Sequence, residues 1–357
     1  MLVLSNEEIE QIITMPECMA VLEELYRDLA EGRALISPRM DNLSPTGREG
    51  AYYTFKHMGG TWPRRKLQAL RINSDVITHP VIGGSIRREK VPLAGGRWVG
   101  LVELFSTETG ELLAVFPDGV AQRMRVGATN GLGVKYLARK DAKRAALIGT
   151  GWQAGSQLMA LLAARPMEEV KVFSVRRESR EAFVAEWQKK FPAVRLRAVD
   201  TPEECARDVE IILAATSSLV PVIRPEWLRE GMHASCIKAQ EVNGPVVARC
   251  QRVVVNTKIQ AKELNNIMPG TPNIPEEHID GWWKQKGMRW QDFPELSELV
   301  AGKFPGRAGD QEITCFVNNV GLGLQFAGVG AVILDKARQL GIGHDLPGEW
   351  FTESVHP

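Results

Sequence analysis

The tract Arg144-Ala145-Ala146-Leu147-Ile148 runs without interruption into Gly149-Thr150-Gly151-Trp152-Gln153-Ala154, and no other feature restricts the fold of this chain as tightly. A short apolar run bounded by glycine reads as a buried strand, and the residues beyond Ala154 read as a helix to Ala164. The spacing gives each small residue a separate task. The first glycine allows a tight turn, the second lets backbone approach a pyrophosphate, and Ala154 lets helix and strand pack closely. Free N–H groups at the helix start then face the diphosphate. Gly149, Thr150, Gly151, Trp152, Gln153 and Ala154 are therefore candidate cofactor-binding residues.

The segments beyond the loop agree with a dinucleotide site. Val170–Phe173 reads as a strand, Glu178–Lys190 as a helix and Val209–Ala214 as another strand, an alternation that implies a parallel sheet covered on both faces. The end of the second strand selects the cofactor, because an acid there accepts from the ribose hydroxyls whereas arginine accommodates a 2′-phosphate. Here the chain reads Phe173-Ser174-Val175-Arg176-Arg177. With no acid present, Ser174, Arg176 and Arg177 point to NADP(H), with NAD(H) as the second possibility. Thr216, Ser217 and Ser218 follow the later strand at the carboxyl edge, as contacts for the nicotinamide ribose or as hydroxyl caps of a loop.

The flanking segments have a different texture. Ser5 and Glu8 form a capping box, and the apolar spacing from Ile9 to Leu29 predicts one helix bent at Pro16, or two. Short β-forming runs follow at Ala51–Phe55, Leu67–Ile72, Trp98–Phe105 and Leu112–Phe116. The turn Thr107-Glu108-Thr109-Gly110 joins the last two as a hairpin. Helical texture resumes at Val120–Leu137, and a small-residue helix spans about Val320–Leu340. The Trp-bearing stretch Glu276–Trp290, with Trp282 and Trp283, reads as an insertion for a lid or a subunit contact.

Charge and cysteine narrow the partners. The 44 Lys+Arg nearly cancel the 43 Asp+Glu, so no field of one sign draws the chain to nucleic acid or a membrane, and small molecules become the expected partners. Five scattered cysteines without a C-x-x-C pair predict buried reduced thiols and no metal site. The opening Met1-Leu2-Val3-Leu4-Ser5 lacks a basic region before an apolar core, which predicts a cytoplasmic protein.

The order of features resembles the ornithine cyclodeaminase and μ-crystallin family, which includes alanine dehydrogenases and ketimine reductases. The resemblance rests on the hairpin Glu108-Thr109-Gly110-Glu111-Leu112-Leu113-Ala114, on Arg125-Val126-Gly127-Ala128, on Lys135-Tyr136-Leu137-Ala138 and on Ile148-Gly149-Thr150-Gly151. It implies a homodimer with a Rossmann-type doubly wound sheet, residues 125–319, inserted in an α+β substrate and dimerisation domain, residues 1–124 plus 320–357. It also implies that Arg39 and Arg125 grip a substrate carboxylate, and that Asn319 and Gly321, in place of the family's Ser-x-Gly, border the cofactor.

Three departures bear on the reaction. The family's substrate-contacting lysine falls at Arg71, a fixed cation that does not act as a proton donor. The cyclodeaminase aspartate is missing from Ala234-Ser235-Cys236-Ile237-Lys238-Ala239-Gln240-Glu241, and a later aspartate position holds Phe326. Lys238 is either a cleft residue that protonates substrate or a surface loop residue. The leading expectation is an NADP(H)-dependent oxidoreductase acting at the C–N bond of an amino, imino or keto acid, with Arg39, Arg71 and Arg125 binding substrate. A cyclodeaminase-like lyase and a non-catalytic NADPH-binding protein are the alternatives.

Overall fold

A computed structural model describes residues 1–82, 84–259, 265–272 and 290–355. After the short strand β1 (Leu2–Val3) come two helices. α1 (Asn6–Ile12) starts at Ser5, whose hydroxyl accepts the Glu8 N–H at 3.2 Å while Glu8 accepts the Ser5 N–H at 2.7 Å. At the head of α2 (Met15–Ala30), Glu17 accepts from both the N–H and the hydroxyl of Thr14. Pro16 lies in the first turn, where its missing N–H has no helical partner to lose, so it marks a start instead of a bend.

The first sheet is built on β2 (Leu35–Pro45), β3 (Ala51–Trp62) and β4 (Leu67–Thr78). An arm of short strands comes next: β5 (Val81–Ile82), β6 (Ser85–Ile86) and β7 (Glu89–Val91). The hairpin β8 (Val99–Ser106) and β9 (Leu112–Pro117) completes the antiparallel run, closed by the expected turn. β3 and β4 run well past the predicted ends because Gly59, Gly60 and the polar residues Asn73, Ser74 and Asp75 hide their strand character. On β4 burial alternates strictly, Leu67 and Ala69 followed by Arg71, Asn73, Asp75 and Ile77. A strand that buries three polar residues at alternate positions has one face in a core and then in a polar site.

α3 (Asp118–Leu137) leads into the second sheet, which holds β10 (Arg144–Ile148), β11 (Glu169–Phe173), β12 (Arg195–Ala198), β13 (Ile211–Ala214), β14 (His233–Cys236), β15 (Arg252–Val255) and β17 (Thr314–Val317). All its pairings are parallel, in the order β12-β11-β10-β13-β14-β17-β15. The first five reproduce the 3-2-1-4-5 order of a doubly wound Rossmann sheet, with its switch point between β10 and β13. α4 (Trp152–Ala164) and α5 (Arg177–Lys190) are two of its covering helices.

The expected division of the chain needs one correction. β16 (Asn265–Ile267) pairs in parallel with β2, so part of the 125–319 span returns to the first sheet. The helix Leu324–Leu340 packs on that sheet, and β18 (His344–Asp345) pairs with β1 at its edge. One core joins them, with Leu22, Leu25, Trp62, Leu104, Phe116 and Phe326 all buried. Each such side chain contributes roughly 1.5–3 kcal/mol. Four cysteines are buried and Cys250 is half-buried, none in a disulfide; burial pushes Cys18 and Cys205 up to about 12. Among the described residues no helix is long and apolar enough to cross a membrane. Trp282 and Trp283 lie outside the described residues.

Candidate functional site

A groove of about 600 Å³ opens at the carboxyl edge of the second sheet, over the switch point. Its floor is the loop Gly149–Gln153. Gly149 has φ +117°, and a Cβ there would stand 2.1 Å from the Ala215 carbonyl oxygen, so only glycine lets the two strand ends come together. Gly151 differs: a Cβ on it would meet nothing within 4 Å. The space a ligand backbone contact requires is therefore open, in front of the unpaired N–H groups that begin α4 at Trp152. Ala154 is fully buried against the strands, as the spacing predicts. The residues present thus fit a dinucleotide diphosphate.

Ser174, Arg176, Thr216, Ser217 and Ser218 all line the groove, joined by Ser179, Arg224 and Trp227. Three expected cofactor residues lie elsewhere. Arg177 begins α5 exposed and turns to Glu181 at 2.7 Å. Asn319 uses its amide on the Thr257–Ile259 loop, bonding the backbone of Thr257 at 2.7 and 3.2 Å and of Ile259 at 3.3 Å. Gly321 makes room for a guanidinium, since a Cβ there would stand 2.2 Å from Arg125 Nη1.

Trp152 is half exposed, its indole N–H reaching the Gly119 carbonyl at 3.3 Å, and the Arg123 guanidinium lies 4.2 Å from its ring centroid. The loop after β13 is fastened from beneath by Glu241. This fully buried carboxylate accepts the Thr216 N–H at 2.5 Å, the Thr216 hydroxyl at 2.8 Å and the Ile237 N–H at 2.9 Å. Burial raises its pKa, and the nearby Lys238 charge opposes the rise. Lys238 itself is half-buried on the loop after β14, at the same carboxyl edge.

The expected substrate arginines gather close enough to feel one another's charge. Arg125, on α3, is wholly buried; Nη1 donates to Gln325 Oε1 at 2.9 Å and Nε has no hydrogen-bond partner. Burial first, then the like charge of Arg71 and also that of Arg39, push its pKa down. Both Arg71 and Arg125 approach the Phe326 ring, at 5.8 and 5.3 Å. Arg71 donates through Nε and Nη2 to Asp118 Oδ2 at 2.8 and 2.6 Å, and Asn73 joins the same oxygen at 3.1 Å. Arg39 clasps Asp41 with two bonds, and Lys56 stands 3.4 Å from that carboxylate. Burial would raise Asp41, but Lys56 and Arg39 hold it low. Arg39 and Arg71 thus have hydrogen-bonded carboxylate partners; Arg125 has none among the described residues, and feels the like charges of Arg71 and Arg39 together with the opposite charge of Asp118. Such a group is stabilised by an incoming anion.

Sequence reasoning missed Gln325, Asp118, Glu241, Arg224 and the groove-lining residues Ile82, Arg87 and Glu89 of the arm. Asp118 and Glu241 carried a signal, being acids next to a helix start and a strand end. Gln325 and the arm residues carried none.

Known proteins resemble the chain over most of its length. An alanine dehydrogenase of Archaeoglobus fulgidus is 29% identical over 353 residues, 96% of this chain and 97% of its own length. A Delta(1)-pyrroline-2-carboxylate reductase of Bacillus cereus is 31% identical over 252 residues, covering 69% and 74% of the two chains. The solved Thermococcus litoralis Delta(1)-pyrroline-2-carboxylate reductase, in complex with NADH and L-proline, superposes with a TM-score of 0.79 at 26% identity, over 97% of this chain and all of that one. Residues 91–340 match the ornithine cyclodeaminase/mu-crystallin family, and this chain is a member of it.

Proposed function

We propose that this protein is an NADP(H)-dependent oxidoreductase acting at the C–N bond of an amino or imino acid. The observation that carries the reading is Arg125, a buried guanidinium whose Nε has no hydrogen-bond partner, in a chain that also forms a dinucleotide groove. A substrate carboxylate supplies the hydrogen-bonded anion that this cation lacks, and two parallel hydrogen bonds fix its orientation. Arg71 and Arg39 strengthen the positive field while Asp118 and Asp41 hold their heads in place. When bound, the nicotinamide supplies the redox chemistry and the protein supplies orientation and charge. Lys238 is the proton donor to the developing amine, because Arg71 keeps its proton.

The relatives support this reading, being dehydrogenases and reductases of amino and imino acids. A redox-neutral lyase fits less well, since Glu241, the acid of the β14 loop, points inward to Thr216 and Ile237. The preference for the phosphorylated cofactor rests on Ser174, Arg176 and Arg224 in the groove wall and on a β11 end without an acid. The chain works as a homodimer, a state supported by the archaeal alanine dehydrogenase dimer with bound NAD, of TM-score 0.76 and 25% identity.

The test is absorbance at the reduced-nicotinamide band, with cyclic imino acids and with 2-keto acids plus ammonia or amines. Consumption of NADPH is expected, with NADPH bound more tightly than NADH. Tighter NADH binding overturns the cofactor preference. Conversion of a diamino acid without net change in the nicotinamide overturns the oxidoreductase.

A further inference from the structure

The arm between β4 and β8 leaves the first sheet and crosses onto the wall of the nucleotide groove. Arg87 and Ser218 form an antiparallel bridge, and the Leu219 N–H donates to the Ile86 carbonyl at 3.3 Å. Arg87 Nη1 donates to Ser217 Oγ at 3.3 Å, and the Arg88 N–H reaches the Ser217 carbonyl at 3.5 Å. Ser217 and Ser218 belong to the loop after β13, whose preceding residue Ala215 touches the Gly149 turn. The guanidinium of Arg87 is thus delivered to the cofactor side of the molecule by the substrate-side sheet. Its Nε is buried without a hydrogen-bond partner. The family match begins at residue 91, so Arg87 precedes the matched segment.

We propose that Arg87 is a phosphate ligand of the dinucleotide and that the arm closes the groove from the opposite domain. This rests on the reading that the groove holds NAD(P)(H). A guanidinium attached to Ser217 through one nitrogen keeps a second edge for an anion, and a fork of N–H groups matches phosphate oxygens. Arg176 and Arg224, the latter paired with Glu203, line the same groove, and against the lining acid Glu89 they leave its wall net cationic, as an anionic cofactor requires. Because Arg87 and the glycine loop belong to different domains, cofactor binding draws the two together, and the arm orders the loop that carries Thr216.

The test is fluorescence titration of the full-length protein with NADPH and with NADH, for wild type, Arg87→Gln and Arg87→Lys. Glutamine retains a side-chain N–H for Ser217 and removes the charge; lysine retains the charge. We expect Arg87→Gln to weaken binding about tenfold and Arg87→Lys to recover part of the loss. A loss confined to NADPH identifies the 2′-phosphate, and an equal loss with both nucleotides identifies the diphosphate. Binding of both nucleotides by Arg87→Gln within twofold of wild type overturns the proposal. A wild type that binds neither nucleotide overturns the groove reading itself. A measurement free of any substitution is limited trypsin digestion of wild type, in which NADPH should suppress cleavage after Arg87 and Arg88. Unchanged cleavage at saturating NADPH also overturns the proposal.

Discussion

Arg125 and Gln325 meet across 200 residues of sequence, Nη1 to Oε1 at 2.9 Å, inside the core that joins α3 to the C-terminal helix. Gln325 is saturated: its Nε2 donates to Tyr26 Oη and Thr129 Oγ1, each at 2.7 Å, and its Oε1 also accepts the Leu322 N–H at 3.1 Å. One amide therefore aims the guanidinium that has no other hydrogen-bond acceptor among the described residues. Gln325→Leu keeps the volume, strands the Arg125 Nη1 and Leu322 N–H donors, and takes one donor each from Tyr26 Oη and Thr129 Oγ1. A stability loss of about 2–4 kcal/mol is expected by denaturant unfolding. KM for the carboxylate substrate should rise about tenfold with NADPH affinity unchanged, since no residue of this network lines the groove. A variant with wild-type KM removes Arg125 from substrate binding.

The two glycines of the loop should separate under substitution. Gly149→Ala places a methyl 2.1 Å from the Ala215 carbonyl oxygen at a φ of +117°, so the fold must shift, at a cost of about 2–3 kcal/mol. Gly151→Ala adds a methyl where nothing lies within 4 Å, and the unliganded protein should melt within about 0.5 kcal/mol of wild type. Yet that methyl enters the space assigned to the diphosphate, and NADPH binding should weaken by about tenfold or more. Calorimetric melts and NADPH titrations on the pair are the measurement. Equal nucleotide affinity in Gly151→Ala and wild type places the cofactor elsewhere.

Acid should destabilise the protein through two paired carboxylates. Asp28 is buried under Arg64, Trp62 and Arg33, and these hold its carboxyl far below the usual range. Glu312, bonded by Arg252 and by the Ala308 N–H, is held at about 2. Both folded values lie below the unfolded ones. Their contribution is therefore fully present above the unfolded carboxylate range and is lost as pH falls through the folded values. Urea midpoints should fall from about pH 4.5 to about pH 2. Asp28→Asn should lower the neutral-pH midpoint and flatten that fall; a slope identical to wild type removes Asp28 from the acid transition.

The glycine loop was legible because its spacing is local: strand, turn and helix lie within twenty-one residues, Arg144 to Ala164, and each small residue has its own steric reason. The substrate arginines were legible only through the family resemblance, since an isolated arginine carries no sign of burial. β4 shows why the rest was hidden. Its buried face reads Arg71, Asn73 and Asp75, which in sequence look like the solvated end of a strand, so the predicted strand stops at Ile72. Long-range pairs such as Arg71 with Asp118, or Arg87 with Ser217, leave no period to read. β16 failed for the same reason, being three residues that pair with a strand more than 220 positions away.

Glu241 clasps the groove from below its floor. Its carboxylate ties Thr216 to Ile237, and its own carbonyl accepts the N–H groups of Val222 and Ile223, at 3.0 and 3.2 Å. One residue thereby holds three segments around the groove and positions Thr216 without facing the groove itself. Burial raises its pKa above the unfolded value, so between the two the folded protein holds the extra proton and stability declines as pH rises through that window. Glu241→Gln preserves the acceptor for Thr216 but sets an amide N–H against the Ile237 N–H. It should cost about 1–3 kcal/mol, remove the pH-dependent decline and weaken NADPH several-fold. Lys238→Met tests the neighbouring charge separately: if Lys238 donates the proton, kcat falls while NADPH affinity holds. Were Glu241→Gln to bind NADPH as wild type does while losing stability, the Glu241 clasp would serve the fold alone, and the orientation of Thr216 would have to come from the arm.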